Sequence, residues 1–176
     1  AVIYAARVAG GGRVGRHMDI RGLHHNAYRC SDSEATRRFY EDFLGLPLVN
    51  AFEITTTKTG RSTRVLHHFY QMKDGACLGF FEAPDMPFVF KEQHDFDLHI
   101  ALEVPPADIP AWMEKGRALG MEVRGISEHG MIDSIYFRDP DGYVIELAAK
   151  TAEHDARMDP MVNRARDVLA NWQSTK

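Results

Sequence analysis

The sequence predicts an α+β fold: two tandem βαβββ modules form an eight-stranded curved sheet around a cleft, and a helical tail follows. Three observations predict it. A short pattern recurs, HNAYRC at 25–30 and HIALEV at 99–104, each opening on His with Ala two residues on. Each copy runs into a helix-like stretch that ends in glycine, Gly45 20 positions after His25 and Gly120 21 positions after His99. Three strand-like runs then follow each glycine. Matching order and spacing argue for duplication of one unit. A single unit has too few elements to bury its own apolar face, so the copies are expected to pair around a cleft.

Residues 1–17 are rich in Gly, Ala and Arg and read as a tag or flexible arm ahead of Met18. The remaining chain divides into one domain over 18–150, with modules at about 20–90 and 94–150, and a tail over 151–176. The first module opens with a strand over 20–30. Asp32 or Ser33 then offers a helix N-cap. Ala35, Phe39 and Phe43 recur every four residues, the stripe of an amphipathic helix. Gly45 suits the left-handed residue that ends such a helix. Strand-like runs over 47–56, 63–72 and 76–82 are separated by turns near Thr59-Gly60 and Asp74-Gly75. Lys58-Thr59-Gly60-Arg61 lacks the upstream glycine of a phosphate loop and reads as a plain turn.

The second module repeats the plan. A strand over 98–104 meets Pro105-Pro106, and a helix starts near Asp108 with Pro110 in its first turn, where a missing N–H costs nothing. Ile109, Trp112, Met113 and Leu119 form its apolar face. Runs over 121–126, 132–138 and 143–149 follow, with Asp141-Gly142 turning between the last two as Asp74-Gly75 does earlier. In the tail, Val162, Ala165, Val168, Leu169 and Trp172 fall at helical spacing. A helix packed on its own domain is the expected arrangement; a contact with a second subunit or a cover for the cleft is the alternative.

Composition narrows the functional classes. A net charge of −4 and no basic stripe argue against nucleic acid as a partner. No apolar run approaches the roughly 18 residues that cross a bilayer. Cys30 and Cys77 are too few for a disulfide framework and read as buried thiols of a cytoplasmic protein. A small-molecule substrate is the expected partner.

The chemistry-bearing residues are His25, His99 and Glu146. Alternation along the first strand sets His25 and His24 on opposite faces, and the match to His99 selects His25. Glu146 is centred in YVIEL (143–147), where a carboxylate is costly to bury unless it is paired or bound to metal. Two imidazoles and a carboxylate suit one divalent ion, Fe2+, Mn2+, Zn2+ or Ni2+. His129, in EHG, is a loop histidine placed to act as an acid or base from the rim.

GLHHNAYRCSDSEATRRFYEDFLGLPL (22–48), DLHIALEV (97–104) and SIYFRDPDGYVIELAA (134–149) resemble the vicinal oxygen chelate superfamily, also called the glyoxalase/bleomycin-resistance/dioxygenase superfamily. The resemblance spans about residues 20–150. It implies paired βαβββ modules and a metal held by His25, His99 and Glu146. It also implies a substrate-contacting role for Tyr136, on the strand before Glu146, and admits a homodimer. A fourth ligand common in the family is missing. Aligning the two Asp-Gly turns sets Gly79 opposite Glu146, while Glu82 falls on the other face and reads as a solvated strand-end carboxylate.

An open three-ligand site favours an Fe(II) extradiol-type ring-cleaving dioxygenase acting on a catechol-like substrate, with Tyr136 and His129 as catalytic residues. The histidine that such enzymes carry near the start of the first module's last strand is absent from Asp74-Gly75-Ala76-Cys77, although His67 and His68 lie one strand earlier. The alternatives are a non-redox lyase, isomerase or thiol transferase using Mn, Zn or Ni, and a drug- or metabolite-binding resistance protein.

Overall fold

The computed structural model describes residues 19–91, 94 and 96–175. The arm expected over 1–17 lies outside the described residues. The eight expected strands are present, as two four-stranded sheets. The first comprises β1 (Tyr28–Cys30), β2 (Leu48–Thr56), β3 (Ser62–Gln71) and β4 (Cys77–Glu82), in the order β1-β4-β3-β2. The second comprises β5 (His99–Glu103), β6 (Arg124–Glu128), β7 (Ile132–Arg138) and β8 (Val144–Lys150), in the order β5-β8-β7-β6. In each sheet the first strand lies parallel to the last, and the other pairs are antiparallel. This is the tandem βαβββ plan.

Helix α1 (Ser33–Arg37) is capped by Asp32, whose carboxylate accepts from the backbone of Glu34 and Ala35. It continues as a wider π-helical turn over Arg38–Phe43, closed by Leu44 N–H donating to Phe39 O at 2.9 Å. That turn buries Phe39, Tyr40 and Phe43 together. Helix α2 (Ile109–Ala118) follows a short 3₁₀ turn at Pro106–Asp108. The helices cover one face of each sheet, and a single core joins the modules. Tyr40 packs on Tyr70 and Phe80, while Phe43 meets Trp112 and Phe137 of the second module. The alternate residues of β3, β4, β7 and β8 point to the other face of each sheet, where the candidate ligands lie.

Polar contacts pin the junction. Tyr143 Oη donates to Arg29 O at 2.9 Å, and Tyr40 Oη donates to Asp139 Oδ2 at 3.0 Å. Asp139 also accepts from the backbone of Asp141 and Tyr143. Burial pushes its carboxyl up to about 6, outweighing the hydrogen bonds from Tyr143 N–H and the Tyr40 hydroxyl that pull it down. The folded chain thus holds this proton to a higher pH than the unfolded chain does. Its contribution to stability is complete below the unfolded carboxylate range and is lost as pH rises through about 6, a change of ~3 kcal/mol. Asp139→Asn keeps the Oδ1 acceptor and removes the charge. Urea denaturation at acid and neutral pH is expected to show this loss in the wild type and not in the variant.

The tail forms α3 (His154–Met158), α4 (Pro160–Asn163) and α5 (Ala165–Ser174). Helical spacing there is correct, but the expected packing on its own domain is not what forms. Val168, Leu169 and Trp172 are 60–65% exposed, because α5 runs clear of the sheets with its apolar stripe uncovered. Cys30 is buried and Cys77 half-buried. Glu82 is not simply solvated, since its Oε2 accepts from Ser33 N–H at 2.8 Å. Among the described residues, no helix is long and apolar enough to cross a membrane.

Candidate metal centre

Glu146 sits at the middle of β8, with Ala101 of β5 on one side and Tyr136 of β7 on the other. Its neighbours Ile145 and Leu147 face the core, so alternation turns the carboxylate to the opposite face. It is only 4% exposed. Oε1 accepts from Ser134 Oγ at 2.5 Å and from Tyr136 Oη at 3.5 Å. Oε2 lies 3.3 Å from His99 Nε2. None of these partners carries a fixed positive charge. A buried carboxylate so surrounded is costly to keep charged without a cation beside it.

Tyr136 Oη also lies 2.9 Å from Nε2 of His129, on the exposed rim. The Arg124 guanidinium lies over the Tyr136 ring, 5.5 Å from its centroid. Four of the five predicted site residues, His99, Glu146, Tyr136 and His129, therefore form one connected group on the open face of the second sheet.

His25 stands apart. It is held on the first sheet by a bridge to Cys77, with Cys77 N–H donating to His24 O at 3.0 Å. Its Nδ1 is 2.7 Å from His24 Nδ1, and its ring lies edge-on to Phe69 at 5.4 Å between centroids. Among the described residues, no three His, Cys, Asp or Glu side chains converge on one point. One copy of the chain thus joins two of the three expected ligands and displays the third on its other sheet.

Register makes the modules comparable position by position. His99 pairs with Val144, two residues before Glu146; His25 pairs with Cys77, two residues before Gly79. Glu146 faces Tyr136, and Gly79 faces Phe69. Gly79 is therefore the counterpart of Glu146, and no side chain fits there. A Cβ would lie 2.6 Å from Asn26 O and 3.3 Å from ring atoms of both His67 and Phe69. Asn26 Oδ1 accepts from Gly79 N–H at 2.9 Å, which holds the strands close. Gly79→Ala is expected to cost about 1–3 kcal/mol by overpacking, read as a lower midpoint in chemical denaturation.

The same comparison separates the two adjacent histidines. His67 faces the open side, within 6.3 Å of His25 between ring centroids, with Nδ1 donating to Phe80 O at 2.9 Å. His68 faces the core, where Cys30 and Tyr70 contact it and burial lowers its pKa to about 4. Ser134, the counterpart of His67, escaped sequence reasoning; its signal is the alternation that sets it on the face of Tyr136 and Glu146. A cavity of about 840 Å³ lies in the groove between modules against Leu46, Met72, Leu102 and Trp112. None of the five predicted site residues lines it.

The family model of the Glyoxalase/Bleomycin resistance protein/Dioxygenase superfamily matches residues 22–147. The chain belongs to this superfamily. The chain is also similar to a metallothiol transferase, FosB of Bacillus licheniformis, at 33% identity over 130 residues, 73% of this chain and 75% of that protein. Among solved structures, FosX of Listeria monocytogenes, a fosfomycin resistance protein, superposes with a TM-score of 0.59 at 23% identity, covering 77% of this chain and 98% of that one. A glyoxalase/dioxygenase of Nostoc punctiforme gives 0.58 at 23% identity, covering 81% and 99%. At these identities the two likenesses show the fold alone.

Proposed function

We propose that this chain is a divalent-metal enzyme acting on a small molecule that presents neighbouring oxygens, and that its chemistry is non-redox, of the thiol-transfer type. The observation that carries the reading is Glu146, a carboxylate 4% exposed and set 3.3 Å from His99 Nε2, with hydroxyls as its other partners among the described residues. His25 completes the donor set from a second copy of the chain, in a homodimer, because one copy leaves it on the other sheet. Imidazole and carboxylate donors fit Mn(II), Zn(II) or Ni(II). An ion held there would polarise a substrate oxygen as a Lewis acid.

The protein's own residues supply the rest. Ser134 and Tyr136 hold the carboxylate in place, as outer-shell donors do. Tyr136 Oη bridges Glu146 and His129, and the exposed His129 links that oxygen to solvent. The similarity to a metallothiol transferase favours sulfur transfer to an electrophilic carbon over oxygen chemistry.

The iron-dependent ring-cleaving reading stays second. Tyr136 beside Glu146 favours it, with His67 on the open face standing in for the histidine absent before β4. A cleft that only sequesters a ligand has no use for a buried carboxylate of this kind. The test is anaerobic incubation of the Mn(II)-loaded protein with a thiol and a panel of small epoxides. Thiol loss with adduct formation is expected. Oxygen uptake on catechols by the Fe(II)-loaded protein, with no thiol adduct from any metal form, would reverse the order.

A further inference from the structure

We propose that the open face of the first sheet is an aromatic-binding subsite, so that the substrate couples its oxygen-chelating head to a planar apolar group. The proposal rests on the metal-site reading above and adds a substrate class to it. Two rows cross this sheet beside His25. In one, Phe52, His67 and Phe81 stand side by side on β2, β3 and β4; in the next come Asn50, Phe69 and Gly79. Neither row contains a charged group.

The rings form one contiguous cluster, in which His67 at the centre is buried and Phe52, Phe69 and Phe81 present the accessible edges. His67 stacks on Phe81 at 3.7 Å and lies 4.1 Å from Phe69. Phe52 closes the array 5.4 Å from His67, and is 44% exposed. Gly79 allows this. The edges of His67 and Phe69 lean over the position of its missing Cβ. Where the second sheet carries a ligand carboxylate, the first therefore carries aromatic edges.

The array begins at the metal site. Phe69 lies 5.4 Å from the His25 ring, so a planar group one or two bonds from a chelated oxygen reaches it. Offset or edge-to-face packing against these rings favours an aromatic group over an alkyl one. The matching face of the second sheet is polar instead, with Arg124, Tyr136 and Glu146 abreast. One end of the substrate is thus read by charge and hydrogen bonds, the other by ring surface.

Lactate and mandelate test this directly. Both offer a hydroxyl and a carboxylate to a metal, and they differ in methyl against phenyl. In calorimetric titration of the full Mn(II)-loaded chain, mandelate is expected to bind about tenfold more tightly, and Phe52→Ala is expected to bring it down to the level of lactate. Equal affinities in the wild type, or a preference that survives Phe52→Ala, would overturn the subsite. Saturation-transfer NMR on the metal-free chain separates the two readings. If phenyl protons take up saturation that Phe52→Ala abolishes while neither acid binds through Mn(II), the aromatic subsite stands and the metal reading falls. No transfer to the phenyl ring in either state removes the subsite, whatever the metal does.

Discussion

Glu146→Gln is expected to weaken divalent-metal binding by more than about 100-fold, a larger loss than removal of an outer-shell partner produces. The substitution keeps the shape of the side chain and an oxygen for the Ser134 hydroxyl, so the local structure has no reason to rearrange. What it removes is the charge. That charge lies at 4% exposure in the centre of β8, and its partners among the described residues are two hydroxyls and one imidazole. Without metal, desolvation of the carboxylate opposes folding, so the metal-free variant is expected to be more stable than the wild type by about 1–3 kcal/mol. Metal binding and stability therefore move in opposite directions, as at a site kept for function. Calorimetric Mn(II) titration and thermal melts of the metal-free chains measure the two effects. Wild-type metal affinity in the variant would remove Glu146 from the metal shell. Ser134→Ala serves as the milder companion, with an expected loss of about 10–100-fold in affinity.

The alternation in YVIEL singles out Glu146 by sequence alone, because a carboxylate between core residues needs a reason to be there. The two Asp-Gly turns single out Gly79 as its counterpart, since a fixed offset from a turn fixes a strand's register. The same logic fails for His67 and His68. Both sit in one apolar run, and only pairing with β4 shows that the first looks outward while the second packs on Cys30 and Tyr70. A strand serine such as Ser134 carries no pattern of its own. Helical spacing in the tail reveals α5 but says nothing of its partner, and the described residues provide none that covers Val168, Leu169 and Trp172. The largest gap concerns distance. Repeat symmetry shows that His25 and His99 occupy equivalent strands, yet symmetry within a chain does not decide whether equivalent strands of one copy, or of two, face each other.

Mixing two inactive variants is expected to settle that question. On the proposed reading, His25→Ala and Glu146→Gln each abolish both metal sites of a homodimer, because every site takes His25 from one copy and Glu146 from the other. A hybrid of the two variants differs. One of its sites receives both substitutions, and the other receives neither. Random reassortment makes about half of the dimers hybrids, each with one intact site, so about one quarter of the wild-type metal capacity should return. His25 is exposed on the β1 side of the first sheet, and its replacement removes no core contact, so the variant is expected to fold. The measurement is bound Mn(II) per chain after the two variants are unfolded together, refolded and freed of excess metal. Each variant refolded alone serves as the control. Recovery near one quarter places the ligands across two copies. No recovery, with hybrids verified by mass, places all three ligands within one chain and requires the two modules to close on each other when metal binds.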